Sequence, residues 1–211
     1  MSQRSPFFKR RLENQRQCGT YTLNSLSVAV GVAAALFGTF LVPAVAGTAS
    51  NGSAKAQDTL VQPRAMIVDR SLSKPQARAQ ILAARRYDTF WTTGEEAMAR
   101  SALASNFMDR TLPPGRPQGI EGPLTASKAF RAAVPDLHCD VEQMMVVGDR
   151  VVSHLRFTGH FTGTFNDVQG TGQTVNFIAT DIYRITDGKI AENWHLEDNL
   201  TLIRQIGVVA K

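Results

Sequence analysis

A chain of 211 residues with 43% hydrophobic content is long enough for one packed domain plus extensions. Its net charge of +5 is concentrated at one end: Arg4, Lys9, Arg10, Arg11 and Arg16 against Glu13 give +4, which leaves +1 for everything after residue 46. So near-neutral a remainder offers no electrostatic case for nucleic acid as a partner.

The first segment, residues 1–46, reads as an export signal. A basic stretch precedes an apolar run over 28–40, and Ala44 and Ala46 supply a small-x-small cleavage pattern just after the helix-ending Pro43. Removal is expected after Ala46, giving a secreted or extracytoplasmic protein that meets a membrane only through this segment. The alternative is an uncleaved anchor, because the 21 residues 26–46 just suffice to span a bilayer. Cys18 lies before the apolar run, so cleavage leaves Cys139 as the single cysteine and excludes an internal disulfide.

Residues 47–72 begin rich in Ala, Ser, Gln, Gly and Asn and keep no period. They read as a flexible spacer, mostly coil, although Leu60, Val61, Met66, Ile67 and Val68 carry enough apolar character to dock as an added strand. The domain proper is expected over 73–211. Ser73 can cap a helix whose first turn holds Pro75, where a missing N–H costs nothing. Ile81, Leu82, Arg85 and Phe90 continue that helix as far as Thr92-Thr93-Gly94. A second helix is expected over 95–105, with Glu95 and Glu96 at its positive end. Leu112-Pro-Pro-Gly-Arg-Pro117 is a stiff loop, and Gly122-Pro123 opens a third helix that ends by Pro135. From there the runs 137–147, 150–161, 174–185 and 189–197 read as strands. Gly148-Asp149 marks a tight turn between the first two, and the glycine-rich 161–172 a longer connection. A short helix starting at Asp198 closes the chain. Helices first and antiparallel strands after is an α+β arrangement.

Several segments together carry a resemblance. Phe107-Met-Asp109, Pro113-Pro-Gly115, Gly119-Ile-Glu-Gly122, Phe130-Arg-Ala-Ala-Val-Pro135-Asp136, Gly148-Asp-Arg-Val-Val152, Thr158-Gly159, Thr162-Gly163 and Asp181-Ile-Tyr-Arg184 follow one another as they do in SnoaL-like sequences. The chain therefore resembles the SnoaL-like polyketide cyclase (ester cyclase) family of the nuclear transport factor 2-like superfamily over about residues 76–208. That resemblance implies a cone-shaped α+β barrel, with N-terminal helices packed on a curved antiparallel sheet and a short C-terminal helix. It also implies a small-molecule substrate, no cofactor, and pairing of two copies through the outer face of the sheet. On that face Ile190, Trp194 and Leu196 are expected to form an apolar stripe.

In SnoaL-like cyclases a histidine on the penultimate strand and an aspartate on the last serve acid–base chemistry in an aldol ring closure. This chain has Asp181 and His195 at the matching positions, with the residue types exchanged. A three-residue loop Thr186-Asp187-Gly188 would set Asp181 opposite Asn193 and diagonal to His195 on one face. A two-residue turn would instead separate them. On the first reading Asp181 orients His195 and raises its basicity. The alternative for that same shared face is that the two are only a satisfied polar pair lining the cone. Asn193 and Tyr183 share that face and are candidate ligand contacts, as are Trp91, Phe107, Phe130 and Phe177 for an apolar lining. Asp109-Arg110 stands where relatives have Asp-His, and Arg110 is expected to pair with Asp109 or reach a ligand carboxylate. His138, His154 and His160 lack zinc-like spacing, so no metal is expected. Two functions follow: an exported cyclase- or isomerase-type enzyme acting on a mostly apolar carbonyl compound, or a module of the same fold that binds a small ligand without turnover.

Overall fold

The computed structural model describes residues 59–208. The expected export signal, the first part of the spacer and the last three residues lie outside that range. Among the described residues there are four helices, α1 (Lys74–Thr93), α2 (Glu96–Ala102), α3 (Glu121–Ala133) and α4 (Asn199–Gln205). The strands are β1 (Ala65–Val68), β2 (Leu103–Asp109), β3 (His138–Val147), β4 (Arg150–Phe161), β5 (Thr164–Phe165), β6 (Val168–Gln169), β7 (Gln173–Thr186) and β8 (Lys189–Glu197). None of these helices is long and apolar enough to cross a membrane.

The α+β expectation holds. The fold is an α+β cone in which the helices pack on a six-stranded sheet of order β1-β3-β4-β7-β8-β2. The sheet does not close into a barrel. It is mixed rather than antiparallel throughout: β3, β4, β7 and β8 run antiparallel, but both edge strands pair parallel, β1 with β3 and β2 with β8. Strands β5 and β6 form a separate small hairpin.

Helix α1 follows from its sequence. The Ser73 side chain accepts from the Gln76 N–H, a proline occupies the first turn, and Gly94 closes the helix in the left-handed region at φ 73°. Its inward stripe is Ala77, Gln80, Ala83, Ala84, Tyr87, Asp88 and Phe90. The alanines let the helix sit close to the sheet.

Two elements differ from expectation. The second helix stops at Ala102, and Leu103–Asp109 forms strand β2 instead of helix and loop. There Leu103, Phe107 and Asp109 turn inward, with the two-residue alternation of a half-buried strand over the last of them. In the expected spacer, residues 65–68 form strand β1 rather than coil. Ahead of it Leu60 is buried, and the Arg85 guanidinium donates to the carbonyls of Leu60 and Val61 at 2.8 Å each.

The β7–β8 hairpin turns on two residues, not three. Asp187 (φ 51°) and Gly188 (φ 71°) are both left-handed, as a type I′ turn requires, and Thr186 pairs with Lys189. Such a turn alone would put His195 on the wrong face. The register then slips: Ile185 pairs with Ile190 but Arg184 pairs with Glu192, so Ala191 is an extra residue on β8. This bulge restores the parity, and Asp181 ends directly opposite His195 rather than diagonal to it. The two-residue turn itself sets Ile190 opposite the inward-facing Ile185, so Ile190 is fully buried in the core and drops out of the expected outer stripe. The outer face carries Trp194 and Leu196 beside Ile178 and Ile182 of β7, with Leu196 77% exposed.

Candidate active site

Pairing sets Met144, Ser153, Asp181 and His195 in one row across β3, β4, β7 and β8. Tyr183, Asn193 and Asp109 form the next row across β7, β8 and β2. Residues two apart on a strand share a face. Both rows therefore look toward α1, from which Asp88 reaches the Tyr183 hydroxyl. Six of the seven polar groups gathered here, Asp88, Asp109, Ser153, Asp181, Tyr183 and Asn193, are buried, and the His195 side chain is only 8% exposed.

His195 meets a carboxylate at each ring nitrogen. Nδ1 lies 2.7 Å from Oε1 of Glu197, and Nε2 lies 3.1 and 3.0 Å from the two oxygens of Asp109. An imidazole facing two acceptors satisfies both only as the imidazolium, which donates from each nitrogen. Burial opposes that charge. The hydrogen bond and charge of Glu197, the hydrogen bond of Asp109 and the charge of Asp181 outweigh it and push His195 up to about 9. The strand is pinned here as well, because the His195 N–H donates to Thr111 Oγ1 at 2.9 Å.

Asp181 is deeper. Its Oδ1 accepts from Asn193 Nδ2 at 2.9 Å and its Oδ2 lies 3.2 Å from the Tyr183 hydroxyl. Burial pushes this carboxyl up to about 6, against the hydrogen bond from Asn193 and the charge of His195. Beyond Tyr183 lies Asp88, fully buried, its Oδ1 2.7 Å from the same hydroxyl and its Oδ2 accepting from Ser153 Oγ at 3.0 Å. Desolvation lifts Asp88 to about 7. Asn193 Oδ1 is buried with no hydrogen-bond partner.

The expected pair is thus brought together across one register position, but no direct hydrogen bond joins it. The carboxylates that orient His195 are Asp109 and Glu197, while Asp181 belongs to the Tyr183–Asn193 side. Arg110 does not pair with Asp109. It donates to Glu192 at 2.8 Å, and Arg184 holds the other oxygen of that carboxylate. Phe107 and Phe177 sit in the core, with Trp91 and Phe130 packed against it partly buried. Phe177 stacks on Phe157 at 5.2 Å between centroids, on the face of β7 that carries Asp181. The remaining histidines lie elsewhere: His154 bonds Thr180, His160 pairs with Asp136 and His138 with Asp140. Among the described residues no group of three or more His, Cys, Asp or Glu is arranged to hold a metal ion.

Two acids escaped the reading from sequence, and a third, Asp109, entered it only beside Arg110 and not as a partner of His195. Glu197 shares strand parity with His195 and was open to it. Asp88 falls on the buried helical stripe of Ala77, Ala84 and Tyr87, so a carboxylate on an apolar face was a usable signal. Asp109 reaches His195 only through the parallel pairing of β2 with β8, which no local pattern announces.

No curated protein matches the chain. A structure of a candidate polyketide cyclase from Bacillus cereus is 46% identical, covering 72% of this chain and 96% of that one with a TM-score of 0.65. IdmH, a candidate polyketide cyclase from Streptomyces antibioticus, is 25% identical over 59% of this chain and 96% of its own, with a TM-score of 0.54. TsrD from Streptomyces laurentii, 24% identical with a TM-score of 0.58 over 66% of this chain and all of its own, shares the fold. The profile of SnoaL-like polyketide cyclases matches residues 81–206, which span the site from α1 to α4, and the chain belongs to that family.

Proposed function

We propose that the protein is a cofactor-independent cyclase- or isomerase-type enzyme acting on a small, mostly apolar carbonyl compound, with Asp181 as base and His195 as acid. The observation that supports this most is the pairing of opposite charge states across one sheet position. An imidazolium clamped by Asp109 and Glu197 stands opposite a buried carboxylate whose proton affinity is raised toward neutrality. Between about 6 and about 9 the carboxylate is free to accept a proton and the imidazolium to give one, so the two can divide base and acid roles between them. The expectation from sequence differs: there His195 is the base and Asp181 only orients it.

In a ring closure Asp181 would take the proton beside one carbonyl, and the C–H electron pair would become an enolate. The enolate carbon would bond to a second carbonyl carbon, whose oxygen would take the proton from His195. Transfer of a proton from Asp181 back to His195 would restore both groups. Trp91, Phe107, Phe130 and Phe177 would supply apolar contact, and the unpartnered Asn193 Oδ1 would accept from a hydroxyl or enol of the ligand. In the same proposal residues 1–46 direct export and two copies pair through the outer face of the sheet.

The test is hydrogen–deuterium exchange beside the carbonyl of 2-tetralone, an apolar ketone, followed by NMR in D2O. Exchange above buffer is expected, with Asp181→Asn and His195→Gln each losing it about 100-fold or more. Saturable binding of 2-tetralone with no exchange at any pH would instead make the chain a binding module.

A further inference from the structure

The Tyr183 hydroxyl lies between two carboxyl groups, 2.7 Å from Asp88 Oδ1 and 3.2 Å from Asp181 Oδ2. A phenol has one hydrogen to donate. Two hydrogen bonds along an acid–phenol–acid chain need two, so one of the acids must carry the other. Asp88 is placed to carry it. It is fully buried on α1, whereas Asp181 faces an imidazolium and accepts from Asn193. The groups that face Asp88 are Tyr183 and Asp181 from β7, Ser153 from β4, Cys139 from β3 and Tyr87 on its own helix. Among the described residues none of these is a cation that would hold it ionised.

We propose that Asp88 is a positioning residue that stores one proton at the inner end of the Asp88–Tyr183–Asp181 chain and thereby keeps Asp181 an ionised base. In the stored arrangement Asp88 donates to the Tyr183 oxygen and Tyr183 donates to Asp181. A proton captured by Asp181 from a substrate then has no acceptor further in, since Tyr183 and Asp88 already hold theirs. It stays at the carboxyl opposite His195, available to return. When Asp88 ionises, the Tyr183 hydroxyl turns toward it and Asp181 loses a hydrogen bond. Base strength therefore depends on a group that touches no substrate. This assignment rests on the acid–base reading of Asp181, but the stored proton itself is measurable without turnover.

Infrared difference spectroscopy of the purified protein at neutral pH should show the C=O stretch of a protonated carboxyl, shifting in D2O and lost in Asp88→Asn. Absence of that band in the unmodified protein, or its persistence unchanged in the variant, overturns the proposal whether or not any ketone is turned over. The second readout is the pH profile of 2-tetralone exchange. The unmodified protein should show two inflections between acid and neutral pH, from Asp181 and Asp88, and Asp88→Asn should show one. A uniform drop in rate with the profile's shape unchanged would mark Asp88 as merely structural and would also sink the proposal. If the unmodified protein exchanges nothing, the acid–base function fails, while the infrared band still decides the stored proton.

Discussion

Replacing Asp88 by Asn tests the buried acid through stability alone. The carboxyl is fully buried and raised from 3.8 to about 7, first by desolvation and further by the charge of Asp181, against the hydrogen bond from Tyr183. A raised value means that the native state binds this proton more tightly than the unfolded chain does. The associated stability is complete below pH 4 and is lost as pH climbs to about 7. Roughly three pH units at about 1.4 kcal/mol each give about 4 kcal/mol as an upper figure, since Asp181 titrates in the same range and shares the change. Asn cannot ionise, and it can donate to the Tyr183 oxygen and accept from Ser153 as the protonated acid does. The stability of the variant relative to the parent should therefore rise between pH 3 and pH 8, by up to about 4 kcal/mol. Urea unfolding at several pH values measures the difference, at one fixed protein concentration because association would shift both curves. Parallel stability–pH curves for the two proteins would refute the reasoning.

The exchange reaction should have a broadly bell-shaped pH profile, rising as Asp181 loses its proton near 6, with the Asp88 inflection following near 7, and falling as His195 loses its own near 9. Asp109→Asn should move the alkaline limb toward neutrality by removing a carboxyl acceptor that bonds the imidazolium at Nε2, which a pH series of exchange rates reads directly. Leu196→Glu, on the exposed outer face beside Trp194, Ile178 and Ile182, should convert a dimer to a monomer in light scattering at tens of micromolar; a monomeric parent would dismiss the pairing. Protein recovered from the native host should begin at Gly47 by mass spectrometry, and a chain starting at Met1 in the membrane fraction would reject export.

The long strands and α1 were legible because their signals are local. Ser73, Pro75 and Gly94 punctuate the helix, and β3, β4 and β7 alternate buried and exposed residues over many positions. Strand β2 was hidden because Leu103-Ala-Ser-Asn-Phe-Met suits a helix as well as a strand, and only the remote β8 gives it something to pair with. The shared face of Asp181 and His195 was reached from sequence through the wrong turn. The loop was read one residue too long, and the error was cancelled by a bulge at Ala191, whose small side chain gives no warning. The true partners of His195 lay partly beyond reach for the same reason as β2. Asp109 arrives from another part of the chain, by tertiary pairing that one-dimensional periodicity does not encode.

The bulge at Ala191 divides the hairpin into a tip and a base whose lengths can be edited separately. Deleting Ala191 alone would leave Asn193, His195 and Glu197 facing solvent and send Trp194 and Leu196 toward α1. Adding one residue to the Asp187-Gly188 turn would have the opposite register effect. The two edits together would return every side chain from Asn193 onward to its present face, with a longer tip and a continuous ladder. A loop insertion that is harmful by itself would thus become tolerable in a chain already missing a residue several positions away. Relatives that differ in length at both places can keep the same site, although a residue-by-residue alignment of their turns would misplace it.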